Sequence, residues 1–379
     1  MIRLGDIGSA AIGLTYSPSA VADGGTLVLR SSNIQNEQLV FRDDVFVEMD
    51  VPLSSRVQPG DILVCARNGS RPLIGKSVLL DHRVEGMAFG AFMALFRSKF
   101  NNYVIHQFRS NGMRRQIEMH LGATINQITN SSLLSFEIPF PSSEKERDLI
   151  AEALSDADAA IESLDALIAK KRDVKQATMQ QLLTGRIRMP GFTVDWKKTE
   201  LRSVLKFQVG FPFSSQSFAP NGIGIRLIRN ADLKSASSAV SIVGAYPEEF
   251  AVQSGDLLIG MDGDFAPIIW KGGFALLNQR VGRVICGPEM NKGYARYELA
   301  RHLKEIEIRT GATTVKHLSH DDVASIVLKL PPLKEQEAIA EALTVIDDEL
   351  EALTEQVSKL RMVKEGMMQD LLTGKVRLV

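Results

Sequence analysis

The sequence predicts a mixed α/β (α+β) protein in which two globular domains alternate with two long helices, related by an internal pseudo-two-fold repeat. The first observation behind this prediction is that Ile-Ala-Glu-Ala-Leu at 150–154 returns at 339–343, and Leu-Leu-Thr-Gly at 182–185 returns at 371–374. The second is that both pairs are displaced by the same 189 residues. A duplication of this length indicates two copies of one structural unit.

Composition limits the class of protein. A chain of 379 residues is long enough for two to four domains, and 45% hydrophobic residues are enough for real cores. The net charge of −1 argues against a general polyanion binder. Two cysteines, Cys65 and Cys286, cannot form a disulfide framework and suit a reducing cytosol. The N-terminus lacks a long apolar region, so we expect no signal peptide. No stretch of the sequence approaches 18 apolar residues, so we expect no membrane span.

The two long helices are predicted from apolar residues spaced alternately by four and three, a coiled-coil seam. Each helix follows prolines and stops at a Thr-Gly pair, which is the expected boundary chemistry. Lys171, Lys175 and Lys364 interrupt the seams, and their aliphatic stems can cover apolar surface there. The predicted seam residues are Ile150, Leu154, Ile161, Leu164, Ile168, Ile339, Leu343, Ile346, Leu350, Leu353, Val357 and Leu360.

The segments before the helices are rich in glycine, β-branched residues and short apolar runs, which favours short strands and turns. The two segments resemble each other faintly: Val-Gln-Pro-Gly-Asp at 57–61 parallels Val-Gln-Ser-Gly-Asp at 252–256. We therefore predict four parts: globules at 1–140 and 191–330, and helices at 141–190 and 331–379. The globules carry net charges of +1 and +3 and the helical parts −1 and −4, so a polyanion would contact the globules.

No catalytic motif is found: neither a phosphate-binding Gly-rich loop nor a methyl-transfer step of the Asn-Pro-Pro-Tyr kind is present. The histidines lack metal-ligand spacing with carboxylates or thiols, and the closest pair, His317 and His320, leaves a metal site only as the alternative. Met-Asp-Gly-Asp at 261–264 is interpreted as a polar turn between strands, with a metal-binding turn as the alternative. We predict no catalytic residue, no metal and no cofactor on this chain.

These motifs resemble those of the DNA specificity subunit of type I restriction-modification systems. The resemblance rests on Pro-Pro-Leu-Lys-Glu-Gln-Glu-Ala-Ile at 331–339, the two Leu-Leu-Thr-Gly endings, Gly-Phe…Trp at 191–196 and the tandem arrangement. One departure is Arg147, which stands where the second copy has Gln336. The resemblance implies two target-recognition domains that each read half of a split, asymmetric DNA site. It also implies an antiparallel coiled coil as spacer.

The resemblance further implies partners and their cofactors. Methyltransferase and restriction-translocase subunits would dock on this cytoplasmic, non-catalytic scaffold, and S-adenosylmethionine, ATP and Mg²⁺ would belong to those subunits. Two alternatives stay open. The chain could be a coiled-coil scaffold whose globules bind proteins, or an enzyme with an unrecognised active site.

DNA reading needs side chains that bond base edges and phosphates, and arginine matches guanine while asparagine and glutamine match adenine. Polar loop segments of each globule offer such groups. For any one residue the alternative is plain solvation or a turn cap. The predicted DNA-binding residues are Arg30, Ser32, Asn33, Arg67, Asn68, Arg71, Arg114, Arg115, Thr124, Asn126, Gln127, Arg229, Asn230, Asn278, Gln279, Arg280, Thr313, Thr314 and Lys316.

Overall fold

The computed structural model describes residues 1–121, 126–235, 240–263, 265–309 and 317–378. The chain divides into two compact units. The first comprises Met1–Ala166 and Glu355–Val379, and the second comprises Leu167–Thr354. Each unit therefore holds one globule together with part of each long helix. The four-part division at 140, 190 and 330 stays a prediction.

The globule of the first unit is built on two four-stranded sheets. One has the order β2-β11-β8-β9 and is antiparallel throughout, and the other has the order β10-β4-β7-β3. The pairs β1-β12 and β5-β6 form two small ribbons. The strands are β1 Ile2–Arg3, β2 Ser9–Ile12, β3 Val21–Ala22, β4 Thr26–Leu29, β5 Ile34–Gln35, β6 Gln38–Leu39, β7 Phe46–Val47, β8 Ile62–Cys65, β9 Ser77–Leu79, β10 Ala88–Phe89, β11 Met93–Arg97 and β12 Glu137–Ile138. The helices are α1 Leu4–Ile7, α2 Asn101–Arg109, α3 Asn111–Leu121 and α4 Asn130–Ser135.

The central strand β8 shows why this sheet forms. Its sequence is an uninterrupted apolar run, Ile-Leu-Val-Cys, and all four residues are buried. Such a run suits a strand covered on both faces. One face packs against α2 and α3, with Ile62 and Val64 in the same core as Tyr103 and Ile117. The other face joins a second core with the β4–β10 sheet.

The first long helix, α5, runs over Glu144–Leu182, and the last helix, α9, over Leu333–Leu371. Each has 39 residues, and both begin within four residues of a proline. Gly185 and Gly374 follow them with φ of 68° and 75°, the left-handed conformation in which glycine ends a helix.

The globule of the second unit repeats the plan. A four-stranded antiparallel sheet has the order β14-β22-β19-β20, a five-stranded sheet has the order β15-β17-β16-β21-β18, and β13 pairs with β23. The strands are β13 Lys197–Glu200, β14 Leu205–Val209, β15 Phe218–Pro220, β16 Ile225–Ile228, β17 Val240–Ile242, β18 Ala251–Val252, β19 Leu257–Gly260, β20 Pro267–Ile269, β21 Ala275–Leu277, β22 Val281–Cys286 and β23 Val327–Leu330. The helices are α6 Asp232–Ser235, α7 Lys292–Arg309 and α8 His320–Ala324.

The two long helices run antiparallel in each unit, as ion pairs between them show. In the first unit Asp158 pairs with Lys364 and Asp165 pairs with Arg361. In the second unit Lys171 pairs with Glu349 and Lys175 pairs with Asp347. In both cases the number of the partner falls as the number in α5 rises. The predicted fold class, with two mixed globules and antiparallel long helices, is confirmed.

All twelve predicted seam residues are buried or half-buried. The residues near the start of each helix also pack on a globule. Ile150 and Leu154 belong to the core of the first globule, and Ile339 and Leu343 belong to that of the second. The seam therefore fastens each globule to the helices as well as one helix to the other. Among the described residues, no helix combines the length and apolar character needed to cross a membrane.

Candidate nucleic-acid interface

Two of the predicted loop segments of the first globule are held together by backbone hydrogen bonds. The loop after β8 carries Arg67, and the segment before α4 carries Gln127. Arg67 pairs with Gln127 in antiparallel fashion, and the Ile128 N–H donates to the Ala66 carbonyl at 2.8 Å. Behind them, burial raises the pKa of the Cys65 thiol, which stays neutral and donates to the Arg67 carbonyl at 3.7 Å.

The third segment of the first globule reaches the same place. Asn68 Nδ2 donates to Ser31 Oγ at 3.2 Å, which ties the loop after β8 to the loop after β4. The latter loop is shaped from within by Asn33. Its Oδ1 accepts from the Arg30 N–H at 2.9 Å and its Nδ2 donates to the Val40 carbonyl at 3.0 Å. Asn33 is buried, so the structure gives it a loop-holding role.

An aromatic residue absent from the sequence prediction lies at this cluster. The Arg67 guanidinium sits over the ring of Phe92, 5.3 Å from its centroid, and Phe92 is 60% exposed. A cation placed over an aromatic face is attracted to it. Nothing local in the sequence signals this contact, because the two residues are 25 positions apart. Gln127 is half-buried and Asn126 is exposed beside them.

The loops of the second globule meet in the same way. Asp262 pairs with His317 in antiparallel fashion, and the Leu318 N–H donates to the Met261 carbonyl at 2.8 Å. Asn230 Nδ2 donates to the Asp262 carbonyl at 2.7 Å, which brings in the third loop. Of the Met-Asp-Gly-Asp turn, residues 261 and 262 are therefore part of the loop cluster, and Asp264 lies outside the described residues.

A charged group of three side chains marks this second cluster. Asp262 Oδ1 lies 3.2 Å from Arg280 Nη1 and 2.9 Å from His317 Nδ1. Arg280 Nη1 lies 3.3 Å from His317 Nδ1 as well. The sequence predicts Arg280 as a DNA-binding residue, whereas it places Asp262 in a polar turn and His317 in a close pair with His320. Their shared site became visible only in the fold.

The remaining predicted residues of the loops have varied surroundings. Arg71 Nη2 donates to the Glu118 carbonyl at 3.3 Å, and Ser32 is half-buried. Arg229 pairs with buried Asp232 at 3.1 Å. Asn278 is buried and accepts from the Arg280 N–H, whereas its neighbour Gln279 is exposed. Thr124, Thr313, Thr314 and Lys316 lie outside the described residues.

Arg114 and Arg115 lie in a different place. They line a cleft of about 1330 Å³ within the first unit, together with α2, the β5–β6 turn and parts of both long helices. Arg115 Nε donates to the Asn111 carbonyl at 3.3 Å. The residues that line this cleft do not include Arg67 or Gln127. A role of the two arginines in DNA binding stays a prediction.

Among the described residues, no group of three or more His, Cys, Asp or Glu side chains is arranged to hold a metal ion. The acidic and histidine side chains at the second cluster face an arginine. What both clusters offer is hydrogen-bonding and stacking groups at the surface, which suits recognition of a polar ligand.

Comparisons with known proteins agree with this description. A family model, "Type I restriction modification DNA specificity domain", matches residues 193–359. The chain is 34% identical over 186 residues to the type I restriction enzyme EcoBI specificity subunit of Escherichia coli, covering 48% of this chain and 39% of that protein. It is 26% identical over 348 residues to the putative type I restriction enzyme MjaX specificity subunit of Methanocaldococcus jannaschii, covering 84% and 79%.

A solved structure supports the fold. The crystal structure of the type I restriction-modification system S subunit from M. genitalium matches with a TM-score of 0.64 at 15% identity, over 98% of this chain and 95% of that one. The fold of the chain is thus that of the solved S subunit, and its sequence is similar to that of DNA specificity subunits. The chain is therefore similar to type I restriction-modification specificity subunits, and the EcoBI relative is matched over less than half of its own length.

Proposed function

We propose that this chain reads a bipartite, asymmetric DNA site, one half with each globule, and serves as scaffold for methyltransferase and restriction subunits. The observation that carries the proposal is the loop cluster that each globule builds on the same sheet frame. The backbone pairings recur while the exposed side chains differ. One scaffold with two different surfaces suits two different half-sites.

The proposal also assigns the chemistry to the partners. This chain would be non-catalytic, and the S-adenosylmethionine, ATP and Mg²⁺ would be bound by the methyltransferase and restriction subunits in the cytoplasm. The net charges of +1 and +3 on residues 1–140 and 191–330 are small for a DNA binder. Because phosphate neutralisation drives tight binding, we expect the chain to need its methyltransferase partner for high affinity.

The test is an exchange of one globule. Residues 1–140 are replaced by the matching segment of another specificity subunit, and the hybrid is expressed with its methyltransferase subunits. Sequencing of methylated adenines should show one half-site changed and the other retained. A hybrid that changes both half-sites would contradict independent reading.

The two alternatives give different results. A chain that binds proteins through its globules would show no sequence-selective DNA binding even with methyltransferase present. An enzyme would transfer methyl groups or cut DNA without any partner. Mobility-shift titration and an activity assay on the purified chain distinguish these cases from the proposal.

A further inference from the structure

Backbone hydrogen bonds give a residue-by-residue correspondence between the two loop clusters. The bond from Ile128 N–H to the Ala66 carbonyl corresponds to that from Leu318 N–H to the Met261 carbonyl, both 2.8 Å. One position earlier on each segment, Gln127 therefore corresponds to His317. One position later on the other, Arg67 corresponds to Asp262.

A second bond extends the frame to a neighbouring strand. The Ala66 N–H donates to the Phe92 carbonyl at 2.9 Å, and the Met261 N–H donates to the Arg280 carbonyl at 3.0 Å. Phe92 and Arg280 are therefore equivalent. The loops after β4 and β16 correspond as well. The Arg30 N–H donates to Asn33 Oδ1 and the Arg229 N–H donates to Asp232 Oδ2, so the next residues, Ser31 and Asn230, are equivalent.

The side chains at the equivalent positions differ, but in both globules the side chains of two of these positions are in contact with each other. In the first globule the position after β8 holds Arg67 and the position before β11 holds Phe92, and the two are in contact. In the second globule the same two positions hold Asp262 and Arg280, and these are also in contact. Each cluster thus presents one arginine from this pair of positions. In the first globule the arginine is at the position after β8, and in the second it is at the position equivalent to Phe92.

Both arginines are held by their neighbour and remain open to solvent. Arg67 is exposed over the Phe92 ring. The Arg280 side chain is 52% exposed, and its contacts with Asp262 and His317 use Nη1 only. For the part of the chain that the structure describes, no partner is found for Arg280 Nε or Nη2. A guanidinium fixed at one edge can still present two parallel N–H groups, which is the geometry that matches guanine O6 and N7.

The residues next to these arginines are buried in the apolar core of each globule. Ala66 and Met261, which carry the backbone pairing, are buried, as are Ile128 and Leu318. In each globule, the positions of the arginine and its neighbour therefore adjoin buried apolar residues. Readout by a rigidly supported side chain costs less ordering on binding than readout by a free loop.

We propose that the pair of positions Arg67/Phe92 in the first globule and Asp262/Arg280 in the second determines specificity, with Arg67 and Arg280 each bonding a guanine edge in its half-site. Phe92 and Asp262 are positioning residues that orient the two guanidinium groups. The inference rests on the proposed DNA-reading function and deepens it by naming the reading residues and the base class.

The experiment uses the full chain with its methyltransferase subunits and a pool of duplexes randomised over both half-sites. The variants are Arg67→Lys and Arg280→Lys, which keep the charge but lose the planar fork. Each should lower the preference for guanine at one position of one half-site by roughly 5- to 100-fold. The other half-site should be selected as in the unmodified chain.

A matched control is Arg83→Lys. Arg83 is also exposed, also paired with a carboxylate, that of Asp81, and also placed over an aromatic ring, that of Phe41 at 5.6 Å. It lies outside the loop cluster, so the selected sequence should not change. Circular dichroism of each variant establishes that the fold is retained, and Arg67→Gln and Arg280→Gln serve as second variants at each position.

Asp262→Asn tests the positioning role. The amide keeps the size of the side chain but loses the charge that holds Arg280. Preference for guanine should fall at the position read by Arg280, and salt dependence of binding should stay the same. A merely structural role would weaken all sequences alike. Phe92→Leu makes the same test in the first globule, because leucine keeps the apolar bulk without the ring.

The outcomes separate this inference from the proposed function. If the unmodified complex selects no sequence, the proposed function itself fails. If it selects a bipartite sequence that Arg67→Lys and Arg280→Lys leave unchanged, only this inference is overturned. If Arg67→Gln and Arg280→Gln, which remove the charge, weaken binding to all sequences alike and reduce the salt slope, the arginines contact phosphates, which also overturns the inference.

Discussion

Lys364 lies at a seam position of α9 and its ammonium group is 2.5 Å from Asp158 Oδ1 of α5. The same pair occurs again with the helices exchanged, because Lys175 of α5 lies 2.5 Å from Asp347 of α9. Both aspartates and both lysines are 189 residues apart. The lysines that interrupt the apolar seam are therefore paired across the helices, and the duplication preserved the pair in each unit.

In the first unit the pair belongs to a larger network that fastens the globule. Lys364 also lies 3.0 Å from Glu37, and Arg109 of α2 lies 3.0 Å from Asp158. Glu37 holds a φ of 65° in the β5–β6 turn, a conformation that is costly for a residue other than glycine or asparagine. The ion pairs hold the turn in this conformation against the helices.

We predict that Lys364→Met destabilises the first unit by about 2 kcal/mol, because it leaves two carboxylates with fewer partners in a site where Lys364 is only 11% exposed. Hydrogen exchange of the full chain under mild denaturant reports the loss in segments of the first unit. Lys359→Met is the control, since the exposed Lys359–Glu355 pair should contribute less than about 0.5 kcal/mol. Equal effects of the two substitutions would contradict a structural role for the network.

A buried histidine beside this network predicts acid sensitivity. His106 Nε2 lies 3.2 Å from Ser155 Oγ, and burial, together with the charges of Arg109 and Lys364, lowers the pKa of His106 to about 3. In the unfolded chain an ordinary histidine has a pKa of about 6.5. Between these two values the unfolded state binds more protons than the folded state. His106 therefore causes no loss in the free energy of unfolding above about pH 6.5. Below that pH the free energy of unfolding falls by up to ~1.4 kcal/mol per pH unit.

The variant His106→Asn should remove this slope, because it cannot take up the proton. Stability of the first unit is measured by hydrogen exchange between pH 7 and 4 for both forms. The second unit is an internal reference, since Tyr297 lies 3.3 Å from Thr344 at the positions equivalent to His106 and Ser155. An identical pH slope in the variant would show that other groups cause the acid sensitivity.

The helices were predictable because their signals are local. The seam spacing and the Thr-Gly ends of α5 and α9 lie within the segments that they define. The partners of Lys175 and Lys364 could not be predicted, since Asp347 and Asp158 approach them only when distant parts of the chain fold together. The loop clusters show the same limit. Polar loop residues such as Arg67 could be predicted individually from the sequence. Phe92 and His317 could not be assigned to the clusters, because they join them only through contacts with residues distant in sequence.

A second duplicated ion pair gives another prediction. Glu335 at the start of α9 is buried and receives Arg188 Nε and Nη2, both at 2.7 Å, and Trp196 Nε1 at 2.9 Å. Burial alone would raise the pKa of Glu335, but the bonds from Arg188 and Trp196 outweigh burial and hold the pKa below its ordinary value. Glu146 and Arg377 form the equivalent pair in the first unit.

We expect Trp196→Phe to destabilise the second unit by ~1.5–3 kcal/mol, because a hydrogen bond to a buried carboxylate is lost. The pKa of Glu335 should move up toward its ordinary value. A carboxyl with a lowered pKa stabilises the fold above its unfolded pKa and loses this effect as the pH falls, so the variant should show less loss of stability in acid. Urea unfolding at neutral and acidic pH measures both effects, and the unit that contains Glu146 serves as reference. An unchanged second unit would mean that the indole bond contributes nothing.

Two glycines allow the backbone to approach the residues that precede β11 and β22 closely. A Cβ added to Gly13 would lie 2.2 Å from the Gly90 carbonyl oxygen, and one added to Gly210 would lie 2.2 Å from that of Asn278. Gly210 corresponds to Gly13, because Leu14 and Phe211 follow them and donate to the carbonyls of Phe89 and Leu277. Both close contacts are with backbone, which cannot rotate away.

Gly13→Ala and Gly210→Ala should therefore each cost ~1–3 kcal/mol through overpacking. Gly24→Ala is the matched control, because no atom lies within 4 Å of the added Cβ and its φ is not in the left-handed region. Thermal unfolding should show a lower transition for the first two variants and no loss for the third. Because the displaced strand leads directly to Gln279 and Arg280, Gly210→Ala should also weaken selection at the second half-site while leaving the first unchanged. If Gly13→Ala and Gly24→Ala unfold alike, the close approach of the strands does not constrain the cluster.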